Sequence, residues 1–267
     1  MNSKLLQDAM ELPSALESFS QIISDIKKNG EPLIFLDFDG TLAPIVDHHA
    51  DAAISEEMKD LVKQLAIKFP LAIVSGRGLE DVSQKAGIKN IYYAGSHGFE
   101  ISGPNGFKKD HEEAIKVLPI FEEIEPILRD SLKDIQGIDF ERKKFTLAIH
   151  YRQVSESREE EVHRNVLEIM QKYPELSRTS GKKVIEIRPS FDWHKGKAVE
   201  FLKKALSKKE DPLSIYIGDD VTDEDAFAYV TNGLGIIVGE HGEKTSADYK
   251  VENIEEVKIF LAKLLRM

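Results

Sequence analysis

The chain has 267 residues, enough for one large domain or two smaller ones. Its 41% hydrophobic and 31% charged content is that of a soluble globular protein, and a formal net charge of −11 argues against nucleic acid as a general partner. There is no cysteine, which excludes disulfides, thiolate metal sites and cysteine nucleophiles. No apolar run approaches the roughly 20 residues of a membrane helix, so no membrane partner is expected. The start, Met1 to Asp8, is too polar for a signal peptide, and the default location is cytoplasmic.

In chain order, residues 12–29 read as an amphipathic helix ending at Gly30. Leu33-Ile34-Phe35-Leu36 follows as a buried strand and stops at Asp37-Phe38-Asp39-Gly40-Thr41-Leu42. A second helix runs from Ile54 to Phe69, with Ser55 as N-cap and Pro70 as stop. Leu71 to Val74 is a strand ending in Ser75-Gly76-Arg77, and Ile91 to Ala94 is another, ending in Gly95-Ser96-His97-Gly98. This alternation predicts a parallel sheet covered by helices.

The pattern breaks at the turn cluster Ser102 to Gly106. A charged helix (111–134), a strand (144–151), a helix (155–172) and a strand (183–187) then suggest an α+β insertion. Alternation resumes with a helix opened by Trp193-His194-Lys195-Gly196 and running to about Leu206. The strand Ser214 to Ile217 ends in Gly218-Asp219-Asp220, and a helix (223–231), a strand (234–238) and a closing helix (253–266) complete the chain. The expected fold is α/β: a doubly wound parallel sheet core, residues 1–106 and 188–267, interrupted by an inserted α+β domain over 107–187.

Candidate chemistry gathers at strand ends, where open α/β sheets bind their ligands. On a regular strand Asp37 and Asp39, at i and i+2, share one face. Two carboxylates that close repel unless a cation lies between them or one holds a proton, so Asp-x-Asp suggests a Mg²⁺ site or an acid/base pair. Phosphoryl transfer needs a nucleophile or positioned water, a proton donor and cations around the phosphoryl oxygens. Asp37 and Asp219 could hold Mg²⁺ with waters, Lys195 could neutralise phosphate charge, Ser75 could bond a phosphoryl oxygen, and Asp39 could move a proton. Plainer readings stand beside these. Ser75-Gly76-Arg77 is a common loop, a lone lysine is usually solvated, and Asp219-Asp220 with Asp223 suits a capped helix start.

Asp37-Phe38-Asp39-Gly40-Thr41, Ser75, Lys195 and Gly218-Asp219-Asp220 with Asp223 resemble the four motifs of the haloacid dehalogenase superfamily of phosphotransferases. The resemblance implies Asp37 as nucleophile, forming an aspartyl-phosphate. It implies Asp39 as general acid/base with its backbone carbonyl on Mg²⁺, Thr41, Ser75 and Lys195 in the catalytic set, and Asp219 as metal ligand assisted by Asp220 and Asp223. The insertion matches that superfamily's larger α/β cap.

A narrower resemblance covers nearly the whole chain. Leu36 to Val46, Ser75-Gly76-Arg77, Gly95-Ser96-His97-Gly98-Phe99-Glu100, His150-Tyr151-Arg152, Glu186-Ile187-Arg188-Pro189 and Gly218 to Phe227 look like the trehalose-6-phosphate phosphatase family. It implies a small-molecule sugar phosphate as partner. Ser75, Gly76, Arg77, Ser96, His97 and Gly98 are then candidates for substrate contact, and the cap candidates are Glu141, Lys143, Arg152 and Glu186. One departure is His194, where a small polar residue is expected before the lysine. Another glycosyl phosphate is the near alternative. A phospho-receiver signalling module is a distant one, because its acidic pair precedes the phosphorylated aspartate and it has no cap.

Overall fold

The computed structural model describes residues 4, 6–46, 51–181, 183–240 and 244–267. Its strands and helices are, in chain order, β1 (Gln7–Asp8), α1 (Phe19–Asn29), β2 (Leu33–Leu36), α2 (Glu56–Lys68), β3 (Leu71–Val74), α3 (Leu79–Ala86), β4 (Tyr92–Gly95), β5 (Glu100–Ser102), β6 (Lys108–Asp110), α4 (Glu112–Leu132), β7 (Asp139–Arg142), β8 (Leu147–His150), α5 (Glu156–Met170), β9 (Leu176–Gly181), β10 (Val184–Pro189), α6 (Lys195–Leu206), β11 (Ser214–Gly218), α7 (Val221–Tyr229), β12 (Gly233–Val238), β13 (Lys244–Thr245), β14 (Tyr249–Val251) and α8 (Ile254–Leu265). Two compact units result: 1–109 with 193–267, and 110–192. No helix among the described residues is long and apolar enough to cross a membrane.

The first unit is built on an eight-stranded sheet of order β14-β12-β11-β2-β3-β4-β5-β6. The six strands from β14 to β4 are parallel; β5 turns back antiparallel on β4. The short aliphatic strands are buried on both faces, as parallel strands under helices must be. Alternation divides them. Ile34 and Leu36 of β2 join Ile22 of α1, Val62 of α2 and Phe260 of α8 in one core. Leu33 and Phe35 join Val199 of α6 and Phe227 of α7 in the other. The sheet is therefore doubly wound. From β2 the chain winds outward through β3 and β4, then returns to β11 on the opposite side of β2, so the topological switch point lies at the carboxyl ends of β2 and β11.

The second unit has a four-stranded antiparallel sheet of order β7-β8-β10-β9. Leu147, Ile149, Ile185 and Ile187 pack with Phe121 and Leu128 of α4 and Val162 and Val166 of α5. Glu141, Ala148, Glu186 and Thr179 are cross-strand partners in one row, so they share the opposite, polar face. Pro119 and Pro126 lie inside α4, where each removes a backbone donor and one ladder bond.

Element boundaries differ from the expectations at informative places. The first helix starts at Phe19 rather than residue 12, because Pro13 and Ala15 exchange backbone hydrogen bonds with Lys250 instead. The inserted unit spans 110–192 against the expected 107–187. Phe107 packs on Tyr92, with ring centroids 5.6 Å apart, and the β6 strand it leads into extends the large sheet. At the other junction Ser190 N–H bonds Glu175 C=O and Phe191 stacks on His111, extending the inserted unit past Ile187.

Candidate active site

The switch point brings four of the expected residues together. Asp37 follows β2 directly, and its backbone N–H bonds Ile217 C=O of β11 at 2.9 Å, which ties the two strand ends side by side. Asp219 follows β11, Asp223 lies one turn into α7, and Lys195 opens α6. Lys195 Nζ donates to Asp37 Oδ1 at 2.8 Å and to Asp223 Oδ1 at 2.7 Å, with its side chain only 3% exposed. Oxygens of Asp37, Asp219 and Asp223 all lie within 4.8 Å of one another. Gly40 makes the close approach possible. Its φ of +78° suits glycine, and a Cβ there would stand 2.0 Å from Asp219 Oδ2.

One ammonium faces three carboxylates. Burial alone would lower the Lys195 ammonium, but Asp223 and Asp37 outweigh that and hold it firmly protonated. Asp37 moves the other way: desolvation raises its pKa despite Lys195, and the neighbouring Asp223 and Asp219 raise it further. Desolvation, then Asp223, pushes Asp219 up to about 7. The cluster is thus short of positive charge. Asp219 Oδ1 is moreover buried without a hydrogen-bond partner. A cluster of hard oxygen donors with surplus negative charge and an unpartnered buried carboxylate oxygen fits a divalent cation.

Asp223 is saturated by protein. Oδ1 accepts from Lys195 and from Tyr216 Oη at 2.5 Å, and Oδ2 from the backbone N–H of Asp219 (3.2 Å) and Asp220 (3.0 Å). Asp220 does not join the cluster. Its side chain caps α7, accepting from Val221 N–H at 2.7 Å and Thr222 Oγ1 at 3.5 Å. The helix-cap reading of this motif therefore holds for Asp220, while Asp219 turns to the site.

Asp37 and Asp39 do not share a face, because β2 ends at Leu36 and the chain turns at once. Asp39 instead accepts from Arg77 twice, from Nε at 2.6 Å and from Nη2 at 2.6 Å. Arg77 also bonds Asp81 of α3. Ser75 is buried and its Oγ accepts from Arg77 N–H at 3.1 Å. The Gly95–Gly98 turn is stitched to this loop through Ser96 N–H to Arg77 C=O (2.6 Å) and His97 N–H to Ser75 C=O (2.9 Å), and His97 would block a Cβ on Gly76. Ser96, His97 and Gly98 all have positive φ, and Ser96 Oγ donates to buried Glu100. Thr41 is wholly buried with Oγ1 unpartnered. His194 is the N-cap of α6 without a side-chain cap bond, its ring edge-on to Tyr229.

In the inserted unit Glu141 and Glu186 share the open sheet face, both opposite Ala148. Glu141 Oε2 lies 3.2 Å from His150 Nε2, and Lys143 Nζ is 3.7 Å from Glu141. Arg152 stands apart from the ladder, exposed in the turn after β8. Sequence reasoning missed Tyr216, which is wholly buried with its hydroxyl on Asp223. The available signal was a polar-tipped aromatic inside an aliphatic strand, since a buried tyrosine hydroxyl needs a partner.

The family model described as trehalose-phosphatase matches residues 35–255. The chain is 42% identical to a probable trehalose-phosphate phosphatase 2 of Oryza sativa subsp. japonica, over 94% of this chain and 72% of the relative. It is similar to the crystal structure of a trehalose-6-phosphate phosphatase related protein, with a TM-score of 0.76 and 27% identity over 88% of this chain and 97% of that one. The C-terminal domain of the Candida albicans trehalose-6-phosphate phosphatase has the same fold, with a TM-score of 0.76 at 24% identity, over 96% of this chain and 98% of that one.

Proposed function

Because the chain belongs to the trehalose-phosphatase family, we propose that it is a Mg²⁺-dependent phosphatase that hydrolyses trehalose 6-phosphate to trehalose and phosphate. The observation that carries this reading is the buried cluster at the switch point: Asp37 gripped by Lys195, beside Asp219 with an unpartnered oxygen. The names of the similar proteins support the sugar.

Asp37 is the nucleophile. Its Oδ1 is held by Lys195, and a carboxylate oxygen forms a bond to phosphorus as the phosphate ester bond breaks. The leaving sugar oxygen takes that electron pair and a proton from Asp39. Asp39 then takes a proton from the water that attacks phosphorus and frees Asp37. Mg²⁺, held by Asp37 and Asp219 with the Asp39 backbone carbonyl, would neutralise phosphoryl charge. Asp223 orients Lys195 and both amides after β11; Asp220 serves by capping α7. Ser75 and Gly76 form the phosphate-side contacts, Thr41 completes the catalytic set, and Ser96, His97 and Gly98 contact the sugar. Glu141, Lys143 and Glu186 take the sugar hydroxyls, and Arg152 is a further sugar contact from its exposed turn.

The test is phosphate release from a panel: trehalose 6-phosphate, sucrose phosphate, glucosyl- and mannosyl-glycerate phosphates and glucose 6-phosphate, each with Mg²⁺ and with excess chelator. The expected result is Mg²⁺-dependent release with trehalose 6-phosphate preferred. Preference for another glycosyl phosphate would replace the substrate but keep the chemistry; full activity after chelation would remove the cation from it.

A further inference from the structure

Asp39 lies just past the end of β2 with its side chain 37% exposed, where an aspartate has rotamer freedom. Arg77 removes that freedom. Its planar fork reaches both Asp39 oxygens at 2.6 Å, and a third donor, Nη1, bonds Asp81 Oδ2 of α3 at 2.8 Å. The guanidinium sits over the buried Phe38 ring, 5.6 Å from its centroid. Its backbone is fixed as well, with N–H on Ser75 Oγ and C=O accepting from Ser96 N–H.

Asp39 and Asp81 together outweigh the desolvation of the Arg77 guanidinium and raise its pKa, so it stays charged although its side chain is only 7% exposed. The grip sets the direction of the Asp39 carboxylate. We propose that Arg77 is a positioning residue for proton transfer: its two-pronged bond holds Asp39 where the leaving oxygen of the substrate receives its proton. The proposal rests on the acid/base role assigned to Asp39 above.

The consequence is selective for the leaving group. kcat/KM reports the steps up to cleavage of the ester bond. A sugar alkoxide leaves only with a proton, whereas p-nitrophenolate leaves without one. General acid catalysis is worth about a hundredfold to ten-thousandfold, and misplacing the acid forfeits part of that. The experiment measures kcat/KM on trehalose 6-phosphate and p-nitrophenyl phosphate for Arg77→Lys, Arg77→Met, Asp39→Asn and the Arg77→Lys/Asp39→Asn double variant, each shown to be folded by its melting curve. Lysine keeps the charge but gives up the fork, so Arg77→Lys carries the test if Arg77→Met does not fold.

Arg77→Lys should lose about tenfold to a hundredfold on the sugar phosphate and less than about threefold on p-nitrophenyl phosphate. In the Asp39→Asn background it should add nothing, as expected for residues acting as a unit. If Asp39→Asn is selective in this way but Arg77→Lys loses equally on both substrates, or on neither, the positioning role is overturned and the acid/base reading stands. If Asp39→Asn itself loses equally on both, the acid/base reading fails and the Arg77 assignment falls with it.

Discussion

The carboxyl edge of the large sheet and the open face of the inserted sheet both present carboxylates beside cationic groups, yet they are built differently. At the large sheet Asp37, Asp223 and Lys195 are buried, and Asp223 spends both its oxygens on four protein donors. On the inserted sheet Glu141 and Glu186 are half-exposed in a polar row, and Glu141 meets its partners at 3.2 and 3.7 Å. Buried charge with fixed partners is costly to disturb and is preorganised for bond breaking. A half-exposed carboxylate on a sheet face is cheap to remove and can accept hydroxyl protons from a bound ligand. Under the proposed function, chemistry falls to the first region and selection of the sugar to the second.

Asp37→Asn removes the group on which the buried region's proposed chemistry depends. An amide cannot serve as the attacking carboxylate, so turnover should fall by more than about a thousandfold in a folded protein. Phosphate release near the wild-type rate, measured with trehalose 6-phosphate, would remove Asp37 from the chemistry. Asp223→Ala tests the saturated network. It leaves the Tyr216 hydroxyl and two amides unsatisfied and Lys195 with Asp37 alone, and should destabilise by about 3–5 kcal/mol in denaturant unfolding. A loss below about 1 kcal/mol would mean that the network is not structural.

Glu186→Ala probes the polar face of the inserted sheet. Losing one or two sugar hydrogen bonds should cost about 1–3 kcal/mol, or roughly tenfold to a hundredfold in kcat/KM on trehalose 6-phosphate, with much less change on p-nitrophenyl phosphate. Equal losses on both substrates would place Glu186 in stability or core chemistry instead.

Melting temperature reports the charge of the carboxylate cluster. Asp219 titrates near 7 in the folded chain because of desolvation and the nearby Asp223, against about 3.9 unfolded. The native state therefore binds more protons between about pH 4 and 7, so without a cation stability falls as pH rises through that window. A cation binds the ionised form and offsets the loss. Saturating Mg²⁺ should raise the melting temperature by roughly 3–10 °C at pH 8 and by less at pH 5.5. A gain independent of pH would separate the cation from these carboxylates.

Much of this was legible from sequence where one signal dominated. Four-residue aliphatic runs ending in Asp, Ser or Gly-Asp-Asp marked buried parallel strands and their ligand ends, and Ser55 caps α2 through Met58 N–H as its spacing predicts. Elements without such a signal were missed. The short helix α3 has a glycine N-cap with no side chain to announce it. β6 is Lys-Lys-Asp at a sheet edge, and β7 and β9 carry polar residues on the open face. In the site, strand-end placement was readable, but the partners were not. The divergence of Asp39 from Asp37 depends on β2 ending at Leu36, and the bonds of Arg77 to Asp39 and of Tyr216 to Asp223 join residues brought together only by the sheet.

In the proposed reaction phosphate passes through Asp37. The direct measurement is acid quenching in the first turnover with radiolabelled trehalose 6-phosphate and Mg²⁺, followed by mapping of any acid-stable, hydroxylamine-labile label on the protein. The account predicts label on the peptide carrying Asp37, chased by unlabelled substrate and absent in Asp37→Asn. Phosphate released in that turnover without protein label, or label mapped to another residue, would contradict it.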